Sequence, residues 1–237
     1  MSETKVKAIV LGNKDYKEKD MLVTLFTPSS GIVTVVFRGV KNANAKLKSA
    51  KEVFSFGDFI YASGKFNVVT SAEIIEPFYN ITKNINNYFA ACNIIKIIKA
   101  VLPEGETSAQ LFVDTVKSFS LLNDDQIDPV LIQNKFLIRV FEGFGYRFNL
   151  NKCSICGGEF VSKRYMNLSD GDITCASCRV GQVEELSPAM YSVLRLLSNT
   201  KYEDLTSLKI SPMLNKQVFN LLQKNCVYRF NLKLDNI

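Results

Sequence analysis

The stretch Met21-Leu-Val-Thr-Leu-Phe-Thr27 alternates between two sets of side chains, as a β-strand does. One face carries Leu22, Thr24 and Phe26, and the other carries Val23, Leu25 and Thr27, which is the period-two pattern of a pleated strand. The residues that follow, Pro28-Ser-Ser-Gly31, are turn formers, so we expect the strand to end at Thr27. This stretch predicts that the N-terminal part of the chain forms a β-sheet.

Four similar segments surround this strand. The five predicted strands are Lys5–Leu11, Met21–Thr27, Ile32–Arg38, Phe54–Ser63 and Phe66–Pro77. Five short strands in about 80 residues suit a closed barrel better than an open sheet, because closure leaves no exposed edge. We therefore expect an OB-type barrel over residues 1–80, and an SH3-like barrel is the alternative that strand counting leaves open.

From residue 81 onward the apolar residues recur with helical period. Residues 81–149 predict three helices: one with an apolar stripe from Ile94 to Leu102, one over Glu106–Leu122, and one after Asp128-Pro129. Ser187-Pro188 and Ser211-Pro212 each combine an N-cap residue with proline in the first turn, so they open two further helices within residues 184–237. These helices have apolar faces, which indicates a packed bundle.

The most specific motif is a pair of CxxC sequences, Cys153-Ser-Ile-Cys156 and Cys175-Ala-Ser-Cys178, with the overall spacing C-x2-C-x18-C-x2-C. This is zinc-ribbon spacing, in which two tight turns each place two thiolates on one edge of a tetrahedron. Four thiolates fill the coordination sphere, so we expect one structural Zn2+ ion held by Cys153, Cys156, Cys175 and Cys178. Disulfides and a redox pair are the weaker alternatives, because a reducing compartment disfavours disulfides and two matched motifs seldom act as independent redox sites.

The predicted fold class is therefore α+β. An N-terminal five-stranded OB-type β-barrel precedes an α-helical bundle domain (residues 81–149 and 184–237), into which a four-cysteine zinc finger (150–183) is inserted. The finger is short, so we expect it to need its metal in order to fold.

Composition excludes several kinds of catalysis. The chain has 237 residues, six Cys, no His and a formal net charge of +6. Without His there can be no Ser-His-Asp triad, no Cys-His pair and no mixed Cys/His metal site. A Walker A loop and an acidic metal cluster are also missing from the sequence, so we expect a binding protein rather than an enzyme.

The sequence also predicts where the protein is located. Its first residues lack the basic and apolar regions of a secretion signal. The longest apolar stretch, from Tyr88 to Leu102, is interrupted by Asn93, Lys96 and Lys99 and is too short and polar for a bilayer span. We expect a cytoplasmic protein without membrane contact.

The segment from Arg38 to Lys51, which we call the basic arm, concentrates positive charge and has no acidic residue. Its basic residues are Arg38, Lys41, Lys46, Lys48 and Lys51. The basic arm follows the third predicted strand, and OB barrels bind single strands by contacting phosphates with Lys and Arg and stacking bases on aromatic rings. We therefore expect the basic arm to bind nucleic acid, with a solvated, flexible loop as the alternative. The candidate stacking residues are Phe37, Phe54, Phe56, Tyr61 and Phe66, most of which we expect to lie in the core.

Several segments taken in linear order point to one family. They are Ala8-Ile-Val-Leu-Gly12, Tyr16-Lys-Glu-Lys-Asp20, Leu25-Phe-Thr27, Gly31, Arg38-Gly39 and the stretch Phe136-Leu-Ile-Arg-Val-Phe-Glu-Gly-Phe-Gly-Tyr146, which leads into the cysteine motifs. The chain resembles the DNA repair protein RecO family in these segments. The resemblance implies an OB domain, a helical domain and a zinc finger without enzymatic turnover, in the bacterial cytosol or nucleoid.

The resemblance also implies partners. Members of this family bind single- and double-stranded DNA, anneal complementary strands, and with RecR help to load RecA onto strands coated by the single-stranded DNA-binding protein SSB. They hold the acidic, apolar C-terminal tail of SSB against the helical domain. Lys135 matches a basic position associated with that contact, with an ordinary solvated helix lysine as the alternative, and Arg139 lies one helical turn further on. An apolar tail that ends in a carboxylate needs a cation beside an apolar groove.

The chain departs from the family pattern at two places. The basic arm is less rich in Arg than is usual in the family, and the C-terminus from Tyr228 lacks a basic ending. A barrel with a four-cysteine ribbon would serve RNA equally well, so a zinc-ribbon and OB-type RNA-binding protein is the alternative function.

Overall fold

The computed structural model describes residues 3–43 and 45–236, and its N-terminal part is a closed β-barrel. The strands are β1 (Glu3–Tyr16), β2 (Asp20–Thr27), β3 (Gly31–Phe37), β4 (Phe56–Ala62) and β5 (Asn67–Glu76). They follow the order β1-β2-β3-β5-β4 around the barrel, and pairing of β1 with β4 closes it. The pair β3–β5 is parallel and the other pairs are antiparallel. This arrangement confirms the OB-type barrel.

Most of the predicted strand ends differ from the observed ones by one or two residues, and two of the differences are informative. The prediction ended the first strand at Leu11, before Gly12-Asn13, but β1 continues to Tyr16 and contains a β-bulge between Val10 and Gly12. The prediction began the fourth strand at Phe54, whereas Phe54 has a left-handed backbone (φ 78°) and β4 begins at Phe56. Both errors arise because local composition does not show how a bulge or a left-handed residue is accommodated by the neighbouring strand.

The barrel presents two apolar faces, as the alternation in β2 predicts. Val23 and Leu25 are fully buried in the barrel interior. Phe26 faces the opposite way and joins the helical core, with its ring centroid 5.5 Å from that of Phe112. The helices therefore pack on the outside of the barrel and fix its orientation.

Five helices form the bundle: α1 (Ile85–Val101), α2 (Ala109–Asp124), α3 (Pro129–Gly143), α4 (Pro188–Asn199) and α5 (Pro212–Phe230). The predicted caps are present: side chains of Asp128, Ser187 and Ser211 accept backbone N–H bonds at the starts of α3, α4 and α5. Helix α2 begins at Ala109 rather than Glu106, because Ser108 is its N-cap. Over residues 3–43 and 45–236, no helix has both the length and the apolar character needed to cross a bilayer.

The cysteine-rich insert carries a small antiparallel sheet of its own. Its strands are β6 (Arg164–Asn167), β7 (Ile173–Cys175) and β8 (Val183–Leu186), in the order β7-β6-β8. Met166 and Ile173 are fully buried and belong to the same core as the helices. Asn225 of α5 donates from Nδ2 to the Met166 sulfur at 3.2 Å. The finger is thus packed on α5, and the whole is an α+β fold.

Candidate metal centre and nucleic-acid interface

The two CxxC motifs come together in the finger. The Sγ atoms of Cys153, Cys156, Cys175 and Cys178 all lie within 4.8 Å of one another, and all six cysteines of the chain are free of disulfides. A tetrahedron of sulfur atoms bound at about 2.3 Å from a central ion has edges of about 3.8 Å. The four thiols therefore fit a tetrahedral metal ion, with no coordination position left open for a substrate.

The first knuckle is shaped by its backbone. Cys153 donates its N–H to the Gly158 carbonyl at 2.9 Å, and Gly157 donates to the Cys153 carbonyl at 2.9 Å. Gly157 has φ +69°, a left-handed conformation that side chains disfavour. Gly158 is under no such constraint, since a Cβ atom there would lie 3.4 Å from the Cys156 sulfur, which is an ordinary van der Waals contact.

Cys153 is the buried member of the four. Hydrogen bonds from the backbone N–H groups of Cys156 and Cys175 lower the pKa of the Cys153 thiol to about 6, and the Cys175 nitrogen lies 3.4 Å from its sulfur. Because a metal binds the thiolate rather than the thiol, these donors prepare Cys153 as a ligand at neutral pH.

The basic arm is attached to the β1–β2 hairpin near both of its ends. Gly39 donates its N–H to Asp20 Oδ1 at 2.8 Å, and Lys41 donates its backbone N–H to the Lys19 carbonyl at 3.2 Å. At the far end, Asn13 Nδ2 donates to the carbonyl of Lys51 at 2.8 Å. Asn44, within the arm, lies outside the described residues. The arm is therefore a structured surface of the barrel at both of its ends.

The five cations of the basic arm fall into two groups. Lys41 pairs with Asp15 at 2.9 Å, and Lys51 pairs with Glu52 at 2.6 Å. Arg38, Lys46 and Lys48 are exposed, and within the described part of the chain no carboxylate pairs with them. The positive charge that an anionic ligand can reach therefore resides mainly in these three side chains.

Most of the aromatic residues suggested as stacking platforms are in the core. Phe37, Phe54 and Tyr61 are buried, so they cannot receive a base. Phe56 is half-buried and packs against Phe112, with ring centroids 6.1 Å apart. Phe66 alone of the five is well exposed, at 53%.

Phe66 has an aromatic neighbour that sequence reasoning missed. Tyr16, the last residue of β1, has its ring centroid 6.4 Å from that of Phe66, and we call this pair the Tyr16–Phe66 platform. The amine of Lys17 lies 5.3 Å from the centre of the Tyr16 ring. The sequence does contain a signal for this residue, since a tyrosine stands next to a lysine at the end of a strand. The prediction missed it because it ended the first strand before Tyr16.

Lys135 lies on α3 and is 3% exposed, so it is not a solvated helix lysine. Its Nζ atom donates to the carbonyl oxygen of Leu197 at 2.7 Å and lies 5.9 Å from the centre of the Tyr202 ring. Burial lowers the pKa of Lys135. The amine has a partner within the protein even without a ligand.

Arg139, one turn further along α3, is half-buried and contacts two carboxylates. Its Nε atom lies 3.3 Å from Asp114 Oδ2 and its Nη1 atom 3.0 Å from Glu142 Oε2. Lys135 and Arg139 both line a cleft of about 690 Å³, the Lys135 cleft, between α2, α3 and residues 198–204. Its walls are mainly polar and carry charges of both signs, which differs from the apolar groove that the sequence led us to expect beside a cation.

Comparison with known proteins covers nearly the whole chain. A family model described as "Recombination protein O N terminal" matches residues 1–78, and one described as "Recombination protein O C terminal" matches residues 82–234. The chain is 28% identical over 223 residues to DNA repair protein RecO of Clostridium novyi, covering 94% of this chain and 87% of that protein. It is 26% identical to DNA repair protein RecO of Syntrophomonas wolfei over 234 residues, covering 96% and 93% of the two chains.

The two matched regions follow the architecture seen in the structure. The first covers the barrel, and the second covers the helices together with the inserted four-cysteine finger. With its barrel, its helical bundle and an inserted finger whose four cysteines could hold a metal ion, the chain belongs to the recombination protein O family of DNA repair proteins.

Proposed function

We propose that this protein is a non-enzymatic DNA-binding recombination mediator that anneals single strands. One observation carries the proposal: the barrel presents exposed cations and, on a neighbouring segment, an aromatic pair formed by exposed Phe66 and half-buried Tyr16. Lys41 of the basic arm pairs with Asp15, which directly precedes Tyr16 of the Tyr16–Phe66 platform. Cations that contact phosphates beside rings that stack on bases are the two components of single-strand binding by OB folds.

Annealing follows from this combination without any bond being made or broken. Two DNA strands repel one another through their phosphates, and contacts from Arg38, Lys46 and Lys48 would neutralise part of that charge. Stacking on the platform leaves the hydrogen-bonding edges of the bases free to find their complements. No catalytic group is needed for this activity.

Membership of the family supports the finer part of the proposal. Acting with RecR, the protein would help to load RecA onto single strands coated by SSB. The C-terminal tail of SSB would dock in the Lys135 cleft, where Lys201 is exposed and Arg139 is half-buried. Lys135 already donates to Leu197, whereas Arg139 keeps N–H donors beyond those that contact Asp114 and Glu142. We therefore assign the direct carboxylate contact to Arg139 together with exposed Lys201, and a supporting role to Lys135.

We propose that the ion of the four-cysteine centre is zinc. An all-thiolate tetrahedral donor set suits Zn2+, and a closed site of this kind supports the fold rather than a reaction. The cysteines Cys153, Cys156, Cys175 and Cys178 would hold it.

The test of the DNA proposal measures binding to single-stranded DNA by fluorescence anisotropy at a series of salt concentrations. We expect the triple variant Arg38→Ala/Lys46→Ala/Lys48→Ala to lower the slope of log K against log salt by about 2, since each phosphate contact contributes about 0.7. The control is Lys5→Ala/Lys7→Ala, which removes exposed barrel cations that pair with Asp58. An unchanged slope in the triple variant would remove the basic arm from the binding site.

Two further measurements separate the alternatives. Competition between single-stranded DNA and structured RNA distinguishes a DNA mediator from an RNA-binding protein, which would prefer the RNA. Capture of SSB with and without its C-terminal tail tests the partner, and Arg139→Ala should weaken only the tail-dependent part. SSB binding that ignores the tail would contradict docking in the Lys135 cleft.

A further inference from the structure

A second cleft, of about 480 Å³, lies between α4 and the segment that connects α3 to the finger. We call it the Arg147–Arg195 cleft. Its polar lining residues are Arg147, Asn149, Asn151, Arg195, Ser198 and Asn199. It differs from the Lys135 cleft in its charge, because two arginines line it and no acidic residue does.

Neither arginine has its charge neutralised within the protein. Arg147 and Arg195 are both exposed, and no carboxylate in residues 3–43 and 45–236 forms an ion pair with them. Arg139 on α3, by contrast, contacts both Asp114 and Glu142. Two unpaired guanidinium groups on one concave surface repel each other, and an anion bound between them would remove that cost.

The wall that carries Arg147 is fixed in place. Phe148 is buried with its ring centroid 5.5 Å from that of Phe141, and Leu150 is also buried. The Tyr191 hydroxyl donates to the Leu150 carbonyl, and the Asn149 side chain accepts the backbone N–H of Asn151 at 3.3 Å. The segment therefore holds its shape without a ligand, so binding costs little conformational entropy.

The wall that carries Arg195 is fixed as well. Lys135 donates to the Leu197 carbonyl in the last turn of α4, and Asn199 Nδ2 donates to the Arg195 carbonyl at 2.8 Å. Both walls are thus held by contacts that do not use the guanidinium groups, which remain free for a ligand.

We propose that Arg147 and Arg195 form a binding site for the phosphodiester backbone of nucleic acid, additional to the basic arm. Guanidinium groups bind phosphate oxygens through two parallel hydrogen bonds, and the asparagine and serine side chains supply neutral donors for the remaining oxygens. The lining has two cations and no carboxylate, unlike that of the Lys135 cleft, which suits the repeated negative charge of a sugar-phosphate backbone. This inference rests on the proposed DNA-binding function and extends it to the helical part of the chain.

The test uses the full-length protein and labelled single-stranded DNA, again with anisotropy across a salt series. We expect Arg147→Gln/Arg195→Gln to weaken binding and to lower the salt slope by about 1.4, that is two phosphate contacts at about 0.7 each. Arg147→Lys/Arg195→Lys should keep most of the slope but bind more weakly, because lysine cannot make the paired hydrogen bonds. The matched control is Lys209→Gln/Lys233→Gln, exposed cations that line neither cleft.

The outcomes separate this inference from the proposed function. If the wild type shows no salt-dependent DNA binding, both are overturned. If the wild type binds DNA and the basic-arm variant binds more weakly, but Arg147→Gln/Arg195→Gln binds as its control does, only the inference is overturned. If Arg147→Gln/Arg195→Gln loses capture of the SSB tail but binds DNA as the wild type does, the cleft binds an acidic peptide. That result would also overturn the inference. Thermal unfolding should be the same in the wild type and all three double variants, because the four side chains that they replace are exposed.

Discussion

The buried amine of Lys135 completes the last turn of α4, since its Nζ atom donates to the carbonyl oxygen of Leu197 at 2.7 Å. The last carbonyls of a helix have no partner within the helix, and a cation near them is also favoured by the helix dipole. The two residues are 62 positions apart in the chain, so the contact joins α3 to α4. Lys135 therefore supports the fold even where no ligand is bound.

Replacement of this lysine should cost stability. We expect Lys135→Met to lower the free energy of unfolding by about 1–3 kcal/mol, because the Leu197 carbonyl loses a charged donor in a buried position. Lys117→Met is the control, since Lys117 forms a more exposed pair with Glu203 that contributes at most about 1 kcal/mol. Denaturant unfolding measures both, and equal losses in the two variants would contradict the structural role of Lys135.

The same pair predicts a pH dependence. Burial lowers the pKa of Lys135 below its ordinary value of 10.5. In the pH range between the lowered pKa of Lys135 in the folded protein and its ordinary value, the unfolded chain binds this proton whereas the folded protein has released it. The free energy of unfolding therefore rises with pH in that range. We therefore expect the wild type to gain stability relative to Lys135→Met as the pH approaches about 10. Groups common to both proteins cancel in this difference, and a difference that stays constant with pH would contradict the lowered pKa.

The features that could be predicted from the sequence are those that depend on neighbouring residues. The caps at Asp128 and Ser187 act on backbone groups within their own helix, so the helix starts could be read correctly. The cysteine spacing likewise predicts the metal site, because each CxxC motif lies within one short turn. These signals need no knowledge of what packs against them.

The features that were missed depend on contacts distant in the chain. Phe54 adopts a left-handed conformation beside β1, where its N–H donates to the Val10 carbonyl at 2.9 Å. The pairing of Lys41 with Asp15 neutralises one of the five cations that a charge count treats as equal. Neither contact leaves a periodic signal in the sequence, so composition alone could not reveal them.

Metal removal should affect more than the finger. We expect purified protein to hold about one zinc ion per chain and Cys175→Ser to hold much less. Because Met166 and Ile173 are fully buried against the helical core, loss of the metal should also increase amide hydrogen exchange in α5 around Asn225. Hydrogen exchange measured before and after chelation checks this expectation, and a change confined to residues 153–178 would show that the finger unfolds independently.

The turn between β6 and β7 contains a glycine, Gly171, whose substitution should destabilise the protein. Gly171 has φ +70°, and a Cβ atom there would lie 2.5 Å from the Arg229 Nη2 atom and 2.9 Å from the Phe148 ring. We expect Gly171→Ala to lower the free energy of unfolding by about 2–4 kcal/mol, because backbone strain and overpacking add together. Gly105→Ala is the control, since Gly105 has φ +83° with nothing within 4 Å, so it carries the strain without the clash. Equal effects at the two positions in denaturant unfolding would mean that the contact with α5 is unimportant.

Substitution in the Tyr16–Phe66 platform should change the affinity for single-stranded DNA without changing its salt dependence, unlike substitution in the basic arm. We expect Phe66→Ala to raise the Kd for single-stranded DNA by about 5- to 150-fold, since stacking contributes about 1–3 kcal/mol per base. The salt slope should stay unchanged because no charge is removed.

Tyr16→Phe keeps a ring at the platform and should bind as the wild type does. Tyr79→Ala, at an exposed aromatic residue outside the platform, controls for non-specific loss of ring surface. A lower slope in Phe66→Ala would mean that the substitution disturbs the nearby cations, and an unchanged Kd would mean that bases do not stack on this pair.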